Sequence, residues 1–367
     1  MPKDNPWYWS VAAQIAQGFS ALGLQASYYC GTLTEAELAG WVACHKPQLI
    51  FDMNCSRADR PGLGSDIFHI CWVVDFNGRS LEAFAGSDIT YLFAAEWLQS
   101  CGSRENYHWL PPGVSAECYF PQAGAFSHIA SFVGHIPKPW SEAELQRNIA
   151  AGDRVLRFAD VLPMLEDTLT RHKSRYVVQA DYNALLSELA TQHFGVNIRF
   201  GAVLDYDLSG RLIRLLNRRA LVDQLVEIEG LAIYGPDNWA LWPQYRPFYQ
   251  RFLSSVDELR AVYNQSQINF HEGCSMHFRV VDAMACRSLL FVKNHGYHEG
   301  DAGLDRFFEP GVHYVAFQAE NLIELYQYYS NNTNLADKVR DAAFQAITAQ
   351  HTWRHRAEQI IEDLAAT

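Results

Sequence analysis

The sequence predicts an α/β protein built from two lobes, each with a parallel sheet. Short apolar runs rich in β-forming residues alternate with helical stretches along the 367 residues, which is the pattern of strand–helix–strand units. This alternation runs through residues 1–125 and continues from residue 126, but within this second part a long helical stretch interrupts it. The length also allows more than one domain, at roughly 150 residues per domain.

The predicted boundaries give a first domain over residues 1–125 and a second over residues 126–345. The second contains a helical insertion at about 138–229, and a last helix over 346–367 is predicted to cross back to the first domain. The insertion is too long for a simple crossover between two neighbouring strands. We therefore interpret it as an added unit of the second domain.

The individual helices and strands are predicted from the spacing of the hydrophobic residues and from helix stop signals. The first domain is predicted to contain helices over 8–23 and 34–45, a helix start at 96, and strands over 25–30, 48–53, 68–74 and 88–94. The second is predicted to contain strands over 129–134, 231–234, 267–270 and 288–292 and helices over 257–265 and 278–286. The insertion is predicted to be helical over 141–151, 153–171, 181–194 and 208–229, and three amphipathic helices follow residue 321.

Charge and patterning argue against several classes of protein. The formal net charge of −12 disfavours binding to nucleic acid or to anionic membranes, since both require clustered basic residues. No run approaches the roughly 18 apolar residues of a membrane span, and the opening MPKDNPWYWS lacks the features of a signal peptide. The eight cysteines form no C-x-x-C pair. We therefore expect free thiols, a cytoplasmic protein and no membrane span.

Strand ends are the expected positions for ligand-binding residues. In open parallel sheets, ligands bind beyond the carboxyl ends of the strands. In the first domain this rule selects Asp52, Asn54, Asp75 and Asn77. In the second domain it selects Gly134, Gly235, Asn269, His271 and Lys293.

The segment INFHEGCSMHFRVVDAMACRSLLF is the most informative part of the chain. A strand ends in a loop with His271 and Ser275, and a helix begins near His277. The free N–H groups at a helix start, together with its dipole, attract anions. Arg279 in the first turn can bind phosphate through two N–H groups, and Asp282, one turn further, is placed for ribose hydroxyls. The same residues also fit an ordinary helix with a surface arginine.

Several motifs together resemble a known family. They are S-F-V-G at 131–134, I-Y-G-P-D-N-W at 233–239, N-x-H at 269–271, M-x-x-R-x-x-D-A-M-A-C at 276–286, F-F-E-P-G at 307–311 and H-T-W-x-x-R at 351–356. This set is similar to the glycosyltransferases of the CgeB-like (spore maturation protein-like) group, which are GT-B enzymes related to glycosyltransferase family 4. The resemblance is specific over about 230–360, weaker over 45–135, and absent from the insertion.

The resemblance implies two Rossmann-like domains that face each other across a cleft holding a nucleotide-sugar donor, with no metal ion and no cofactor. Arg279 and the adjoining helix start would hold the diphosphate, and Asp282 would bind the ribose. Gly235 and Trp239 would border the nucleotide, with Trp239 flanking the base. The acceptor would present a hydroxyl group from a glycan, a protein side chain or a small molecule.

A general base would remove the proton from the attacking hydroxyl group. Asp75 is the first candidate, because VVDFN places it at a strand end, and Asp52 is the second. Either carboxylate also fits a turn or a cap. An enzyme that retains the anomeric configuration would need no dedicated base, and the sequence favours neither outcome.

Weaker signals have simpler explanations. Asp205-Tyr206-Asp207 has the D-x-D form of a metal site, but its position before a helix favours capping. His295 and His298 fit a polar loop near the donor better than a metal site. The arginines of one insertion helix form a basic stripe that fits a solvated face, or else a surface for an acidic acceptor or partner. They are Arg211, Arg214, Arg218 and Arg219. Because the insertion interrupts the predicted donor-binding domain, we expect it to bear on acceptor specificity.

Three functions remain open at this stage. The first is transfer of a sugar from a nucleotide-sugar donor to a hydroxyl acceptor, in carbohydrate biosynthesis. The second is a sugar-nucleotide epimerase with the same fold. The third is a non-catalytic two-lobed binder of a sugar or nucleotide.

Overall fold

A computed structural model shows the architecture of the chain. It describes residues 1–76, 79–101, 104–171, 179–198, 200, 204, 207–273, 275–294 and 303–366. The strands are β1 (Leu49–Met53), β2 (Phe68–Val73), β3 (Ile89–Leu92), β4 (Tyr107–Trp109), β5 (His128–Val133), β6 (Asn148–Ala151), β7 (Arg154–Arg157), β8 (Leu231–Tyr234), β9 (Ser266–Glu272), β10 (Leu290–Lys293) and β11 (Val315–Phe317). The helices are α1 (Pro6–Ser20), α2 (Glu35–His45), α3 (Glu142–Leu145), α4 (Phe158–Arg171), α5 (Gln179–Phe194), α6 (Ile213–Leu225), α7 (Val256–Gln265), α8 (Phe278–Ala285), α9 (Leu322–Asn331), α10 (Thr333–Gln350) and α11 (Trp353–Ala366).

Nine of these strands form two parallel sheets, one in each lobe. The first sheet has the order β1-β2-β3-β4, and the second has the order β11-β10-β9-β5-β8. The carboxyl ends of β5, β8 and β9 therefore lie side by side in the second lobe. This arrangement confirms the predicted α/β class with two Rossmann-like lobes. The domain boundaries drawn from the sequence stay predictions.

Both faces of the first sheet are buried, as expected for a parallel sheet. Successive residues of β2 point to opposite sides, so Ile70 and Trp72 pack in one cluster while Cys71 and Val73 pack in another. The second sheet is likewise covered on both faces, by α6 and α9 on one side and by α8 on the other, and α10 contributes residues to both clusters. Its carboxyl edge is left as the place for a ligand.

Helix α8 joins the two lobes through an aromatic contact. Its first residue, Phe278, leaves the second lobe and enters the core of the first. The ring stacks on Phe93 at a centroid distance of 5.5 Å and lies 5.9 Å from Trp72 and 5.2 Å from Trp7. The start of α8 is thereby fixed at the junction of the lobes.

The last helix, α11, packs against α1 of the first lobe, where Trp353, Ala357 and Ile360 are buried. The chain thus crosses between the lobes twice, and the crossings lie side by side. Val114 donates its N–H to the carbonyl of His351 at 3.0 Å, and Trp353 donates to the carbonyl of Val114 at 3.1 Å. Gly113 lies so close to Trp353 that an added Cβ would come within 2.7 Å of its backbone nitrogen.

The insertion has a small core of its own, which includes Ile149, Phe158 and Leu165. The prediction of an all-helical insertion is wrong, because β6 and β7 form an antiparallel hairpin. Ile149 and Ala151 are buried while their neighbours in β6 are exposed, and Gly152 turns the chain with a φ of 65°. Period-two burial and glycine at the first position of a two-residue turn favour a hairpin over a helix.

The strand predicted over 25–30 is also wrong. This segment is extended but forms no pair with the sheet of the first lobe. It bonds instead to the first residue, since the amino group of Met1 donates to the carbonyl of Tyr29 at 2.9 Å and Gly31 donates back to Met1. Tyr28 and Tyr29 are exposed, so the tyrosines that suggested a strand do not enter the core.

No described helix has the length and apolarity needed to span a membrane. Six cysteines in the described part of the chain are free thiols, namely Cys30, Cys44, Cys55, Cys71, Cys118 and Cys286.

Candidate active site

A cavity of about 850 Å³ opens between the insertion and the carboxyl edge of the second sheet. One wall comes from helices α4 and α6, and the other from the segment between β9 and α8. Three residues predicted from the sequence line it, namely His271, Ser275 and Arg279. The cavity therefore lies where the parallel-sheet rule places a ligand.

Arg279 lies in the first turn of α8, with its guanidinium beside the end of β5. Its Nη1 donates to the carbonyl of Val133 at 2.7 Å, and its backbone N–H donates to Nδ1 of the capping residue His277 at 3.2 Å. Burial lowers the pKa of Arg279. In the described part of the chain no carboxylate lies within 4 Å of this guanidinium. A partly buried cation without a counter-ion is a ready site for an anion.

His277 is the N-cap of α8, and burial lowers its pKa far below the ordinary range. A neutral ring is what this position requires, because Nδ1 accepts the N–H of Arg279. His135, which follows β5, is also neutral at pH 7, since burial and the charges of Arg214 and Arg218 lower its pKa to about 4. The positive charge around the cavity therefore comes from arginine.

Three arginines of α6 reach the cavity, which the sequence analysis did not predict. Arg214, Arg218 and Arg219 all line its wall. Arg218 is 5% exposed, forms an ion pair with Glu272 at the end of β9, and donates its Nε to the carbonyl of His135 at 2.6 Å. The basic stripe of this helix is therefore not a solvated face. The periodic spacing of the arginines was the available signal, but the direction of the face depends on how the insertion packs.

Two glycines allow this arrangement at the ends of β5 and β8. An added Cβ on Gly134 would come within 2.8 Å of Nη1 of Arg279, and one on Gly235 would overlap the carbonyl oxygen of Gly134. Gly235 also has a φ of 156°. The predicted glycines thus permit the guanidinium of Arg279 to lie over the strand end.

The expectation that Trp239 flanks a base is not what the structure shows. Its side chain is fully buried, and the indole N–H donates to the carbonyl of Gly134 at 2.8 Å. Phe132 and Tyr245 pack edge-on against the ring at centroid distances of 5.9 and 5.5 Å. Both faces of the indole are therefore occupied by protein, and Trp239 supports the strand end from behind.

Asn269 also differs from its predicted role. Strand β9 continues to Glu272, so Asn269 lies in mid-strand rather than at its end. The side chain is 2% exposed, accepts from the hydroxyl of Ser131 at 2.5 Å and donates to Ser288 and to the carbonyl of Tyr263. These partners use its amide within the sheet.

Asp282 and Lys293 are buried and do not line the cavity. Asp282 lies by Tyr119, and burial raises its pKa well above the ordinary range although a hydrogen bond with Tyr119 acts in the opposite direction. Lys293 donates its Nζ to the carbonyl of Ala220 in α6. The lysine therefore joins β10 to the insertion, and the aspartate lies away from the position proposed for ribose.

In the first lobe, Asp52 is held in a buried network. Arg60 donates its Nε to the carboxylate at 3.1 Å, and Nε2 of His69 lies 3.3 Å away, while Nδ1 of His69 lies 3.0 Å from the hydroxyl of Ser87. Burial acts to raise the pKa of Asp52, but the hydrogen bonds from His69 and Arg60 outweigh it and lower the pKa. A carboxylate with a lowered pKa and two partners is a poor general base, which contradicts the second candidate.

Replacing Asp52 by asparagine is expected to destabilise the fold by about 2 kcal/mol at neutral pH, because the partly buried Arg60 loses its counter-ion. The pKa of Asp52 is lowered by folding, so its contribution is complete above the ordinary value of about 3.9 and is lost as pH falls below it. The difference in urea midpoint between wild type and Asp52→Asn should thus shrink on acidification from pH 7 to 3. A difference independent of pH would contradict this account.

Asp75, the first candidate base, follows β2 at the carboxyl edge and is exposed. The loop that carries it is fixed by Asn54, which has a φ of 56° and whose Oδ1 accepts the N–H groups of Val74 at 2.7 Å and Asp75 at 3.0 Å. The negative charge of Asp75 also raises the pKa of Tyr8, after the larger effect of burial. The position leaves the carboxylate accessible to a substrate.

Of the other residues singled out in the sequence, the structure explains Arg211 and does not describe several more. Arg211 binds Glu144 and Asp207 and lies over the ring of Trp140, at 3.8 Å from its centroid, so it stabilises the insertion. Asp205, Tyr206, His295, His298 and Asn77 lie outside the described residues. Within the described ranges, no group of three or more histidine, cysteine, aspartate or glutamate side chains is arranged to hold a metal ion.

Two Rossmann-like lobes with parallel sheets are the GT-B architecture, which the chain shares with solved structures. Sucrose-phosphate synthase from Thermosynechococcus elongatus superposes with a TM-score of 0.52 at 10% identity, over 96% of this chain and 92% of that one. HepE from Anabaena in complex with UDP-glucose superposes with a TM-score of 0.50 at 11% identity, over 95% and 88%. Identities this low show a common fold.

Sequence comparison adds one finding for the second lobe. Residues 214–362 match the family model described as glycosyl transferase-like. The matched region begins at Arg214 in α6 and includes the β9–α8 segment with Arg279. No curated protein sequence matches the chain significantly.

Proposed function

We propose that the protein is a metal-independent glycosyltransferase that moves a sugar from a nucleotide-sugar donor to a hydroxyl acceptor. The observation that carries the proposal is the guanidinium of Arg279, which lies in a cavity at the start of α8 without a carboxylate partner among the described residues. The GT-B fold and the glycosyl transferase-like match of residues 214–362 support it. We further propose that the enzyme belongs to the CgeB-like group, related to family 4, and acts in the cytoplasm.

The donor is proposed to be a nucleoside diphosphate sugar. HepE, which has the same fold, has been solved with UDP-glucose and with UDP and glucose. In this chain the diphosphate would lie against Arg279. When the bond between the anomeric carbon and the phosphate oxygen breaks, the electron pair stays on the leaving diphosphate. Arginine charges held in place before the reaction stabilise that developing charge, so a metal ion is not required for this role.

The acceptor would approach from the first lobe. Its hydroxyl oxygen forms the new bond to the anomeric carbon, and its proton passes to the carboxylate of Asp75 if the configuration is inverted. If the configuration is retained, the leaving phosphate can accept this proton. The proposed acceptor is a glycan, a protein side chain or a small molecule.

A donor screen tests the proposal. Thermal unfolding is measured with UDP, GDP, dTDP and CMP, since a ligand that binds the folded state raises its stability by mass action. One nucleoside diphosphate is expected to give the largest increase, and the corresponding nucleotide sugars should then be hydrolysed or consumed when acceptors are pooled. Absence of both stabilisation and turnover with every nucleotide sugar would overturn the proposal. Interconversion of donor sugars without acceptor would favour an epimerase.

Replacing Asp75 by asparagine is expected to reduce turnover by about 10²–10⁴-fold if the enzyme inverts, because proton transfer to a positioned base contributes about that much. Donor affinity should stay unchanged, since Asp75 does not line the cavity that holds Arg279. Product anomeric configuration, turnover and donor Kd are measured together. An inverted product with full turnover would exclude Asp75 as the base.

A further inference from the structure

Helix α6 of the insertion carries two arginines that face the same cavity one turn apart. Arg214 and Arg218 are related as i and i+4, and both line the cavity wall. Like charges at this spacing destabilise a helix. Because this helix places two positive charges together in a partly enclosed space, a negatively charged group is expected next to them.

The carboxylates of the protein supply only part of that charge. Arg218 is paired with Glu272. Arg214 and Arg279 have no carboxylate within ion-pair distance in the described ranges, although the charge of Arg214 is close enough to lower the pKa of Arg279. The fourth arginine of the wall, Arg219, lies 4.0 Å from Asp223. The guanidiniums of Arg214 and Arg279 are therefore the two that have no ion-pair partner in the described ranges.

Three other carboxylates line the cavity. Asp167 pairs with Arg171 on α4, and Asp223 accepts the hydroxyl of Tyr245 at 2.5 Å. Glu166 lies on α4, which forms one wall together with α6. The positive charge is therefore concentrated where α6 meets α8.

We propose that Arg214 binds the diphosphate of the donor directly, on the side opposite Arg279, so that the insertion completes the donor site. Two uncompensated guanidiniums match the two negative charges of a nucleoside diphosphate sugar, and they exceed the single charge of a nucleoside monophosphate sugar. This inference rests on the proposed function, names its donor class, and assigns to the insertion a role in donor binding instead of acceptor choice.

Inorganic pyrophosphate is the probe that tests this proposal, because its binding does not depend on the base or the sugar. Kd is measured by calorimetry for pyrophosphate and for inorganic phosphate, with wild type and with Arg214→Ala, Arg214→Lys and Arg279→Ala. Arg154→Ala is the matched control, because Arg154 is an exposed arginine of the same insertion, on β7, outside the cavity.

Wild type is expected to bind pyrophosphate more tightly than phosphate. Arg214→Ala should weaken pyrophosphate binding about 10- to 100-fold, the effect of removing a hydrogen bond to a charged group. Arg214→Lys should recover part of the affinity, because the charge is kept while the planar fork is lost. Arg154→Ala should bind as wild type does. Circular dichroism and thermal unfolding establish that each variant is folded.

Other results would overturn the proposal. If Arg279→Ala abolishes pyrophosphate binding while Arg214→Ala leaves it unchanged, Arg214 is not a ligand and the donor site lies on α8 alone. If wild type shows no preference for pyrophosphate, the inferred two-charge site is wrong. Neither result would refute a glycosyltransferase, whose failure would appear as absence of turnover in the donor screen.

Discussion

Replacing Arg279 by alanine is expected to lower kcat/KM for the nucleotide-sugar donor by a factor on the order of 10²–10³. The guanidinium lies at the start of α8, where the free N–H groups and the helix dipole also favour an anion. Removing a fixed donor at the position where charge develops costs about this much in enzymes. Steady-state kinetics with the donor found by the screen measure the effect.

The stability of the Arg279→Ala variant should change little, because the arginine has no carboxylate partner in the described structure to leave behind. Its bond to the carbonyl of Val133 is the main contact that is lost. Arg279→Lys provides the conservative comparison, and we expect it to keep the charge but lose the two-pronged contact. Full activity in Arg279→Ala would mean that the phosphate lies elsewhere.

Replacing Phe278 by alanine is expected to destabilise the protein by about 3–5 kcal/mol, the usual cost of removing a buried phenyl ring. The ring stacks on Phe93 and packs against Trp72, so a cavity would form between the lobes. The urea midpoint followed by tryptophan fluorescence reports the loss. Donor turnover should fall as well, because the residue next to Arg279 loses its anchor in the first lobe.

Phe252→Ala is a matched control for this substitution. Phe252 is 59% exposed, so truncation of its ring should change stability by less than about 0.5 kcal/mol. A Phe278→Ala variant that unfolds at the wild-type midpoint would contradict the packing described between α8 and the first lobe.

The central strands of both sheets were predictable because each is short, apolar and bounded by turn residues. Strands β2 and β9 lie where the sequence predicts them, although β9 extends two residues beyond its predicted end. That extension places Asn269 in mid-strand instead of next to the strand end, and its side chain bonds within the sheet. A side chain at a strand end is assigned correctly only when the end itself is known to within one residue.

The wrong secondary-structure predictions concern two segments whose local residue pattern differs from the pairing that they adopt in the fold. The hairpin of β6 and β7 has helix-compatible residues, and its alternation over four positions is too short to exclude a helix. In 25–30, the two tyrosines suggested a strand, but the segment pairs with Met1 instead of the sheet. Which partner a strand finds depends on the rest of the fold, and no local window contains that information.

The candidate site was predictable on one side. Arg279, His271 and Ser275 follow from the strand-to-helix pattern, and all three line the cavity. Arg214 could be seen as one member of a basic stripe, but only the packing of α6 over the carboxyl edge shows that it faces Arg279. The burial of Trp239 likewise depends on its packing against Phe132 and Tyr245. The sequence around Trp239 does not reveal these contacts.

The paired crossings between the lobes limit how the cleft can open. Val114 and the start of α11 are joined by two backbone hydrogen bonds, with Gly113 packed against Trp353. Two chain segments bonded at one point act as a single pivot, so any rotation of one lobe against the other must be absorbed there. Substrate entry and product release would then share one axis of motion, set by residues that touch neither substrate.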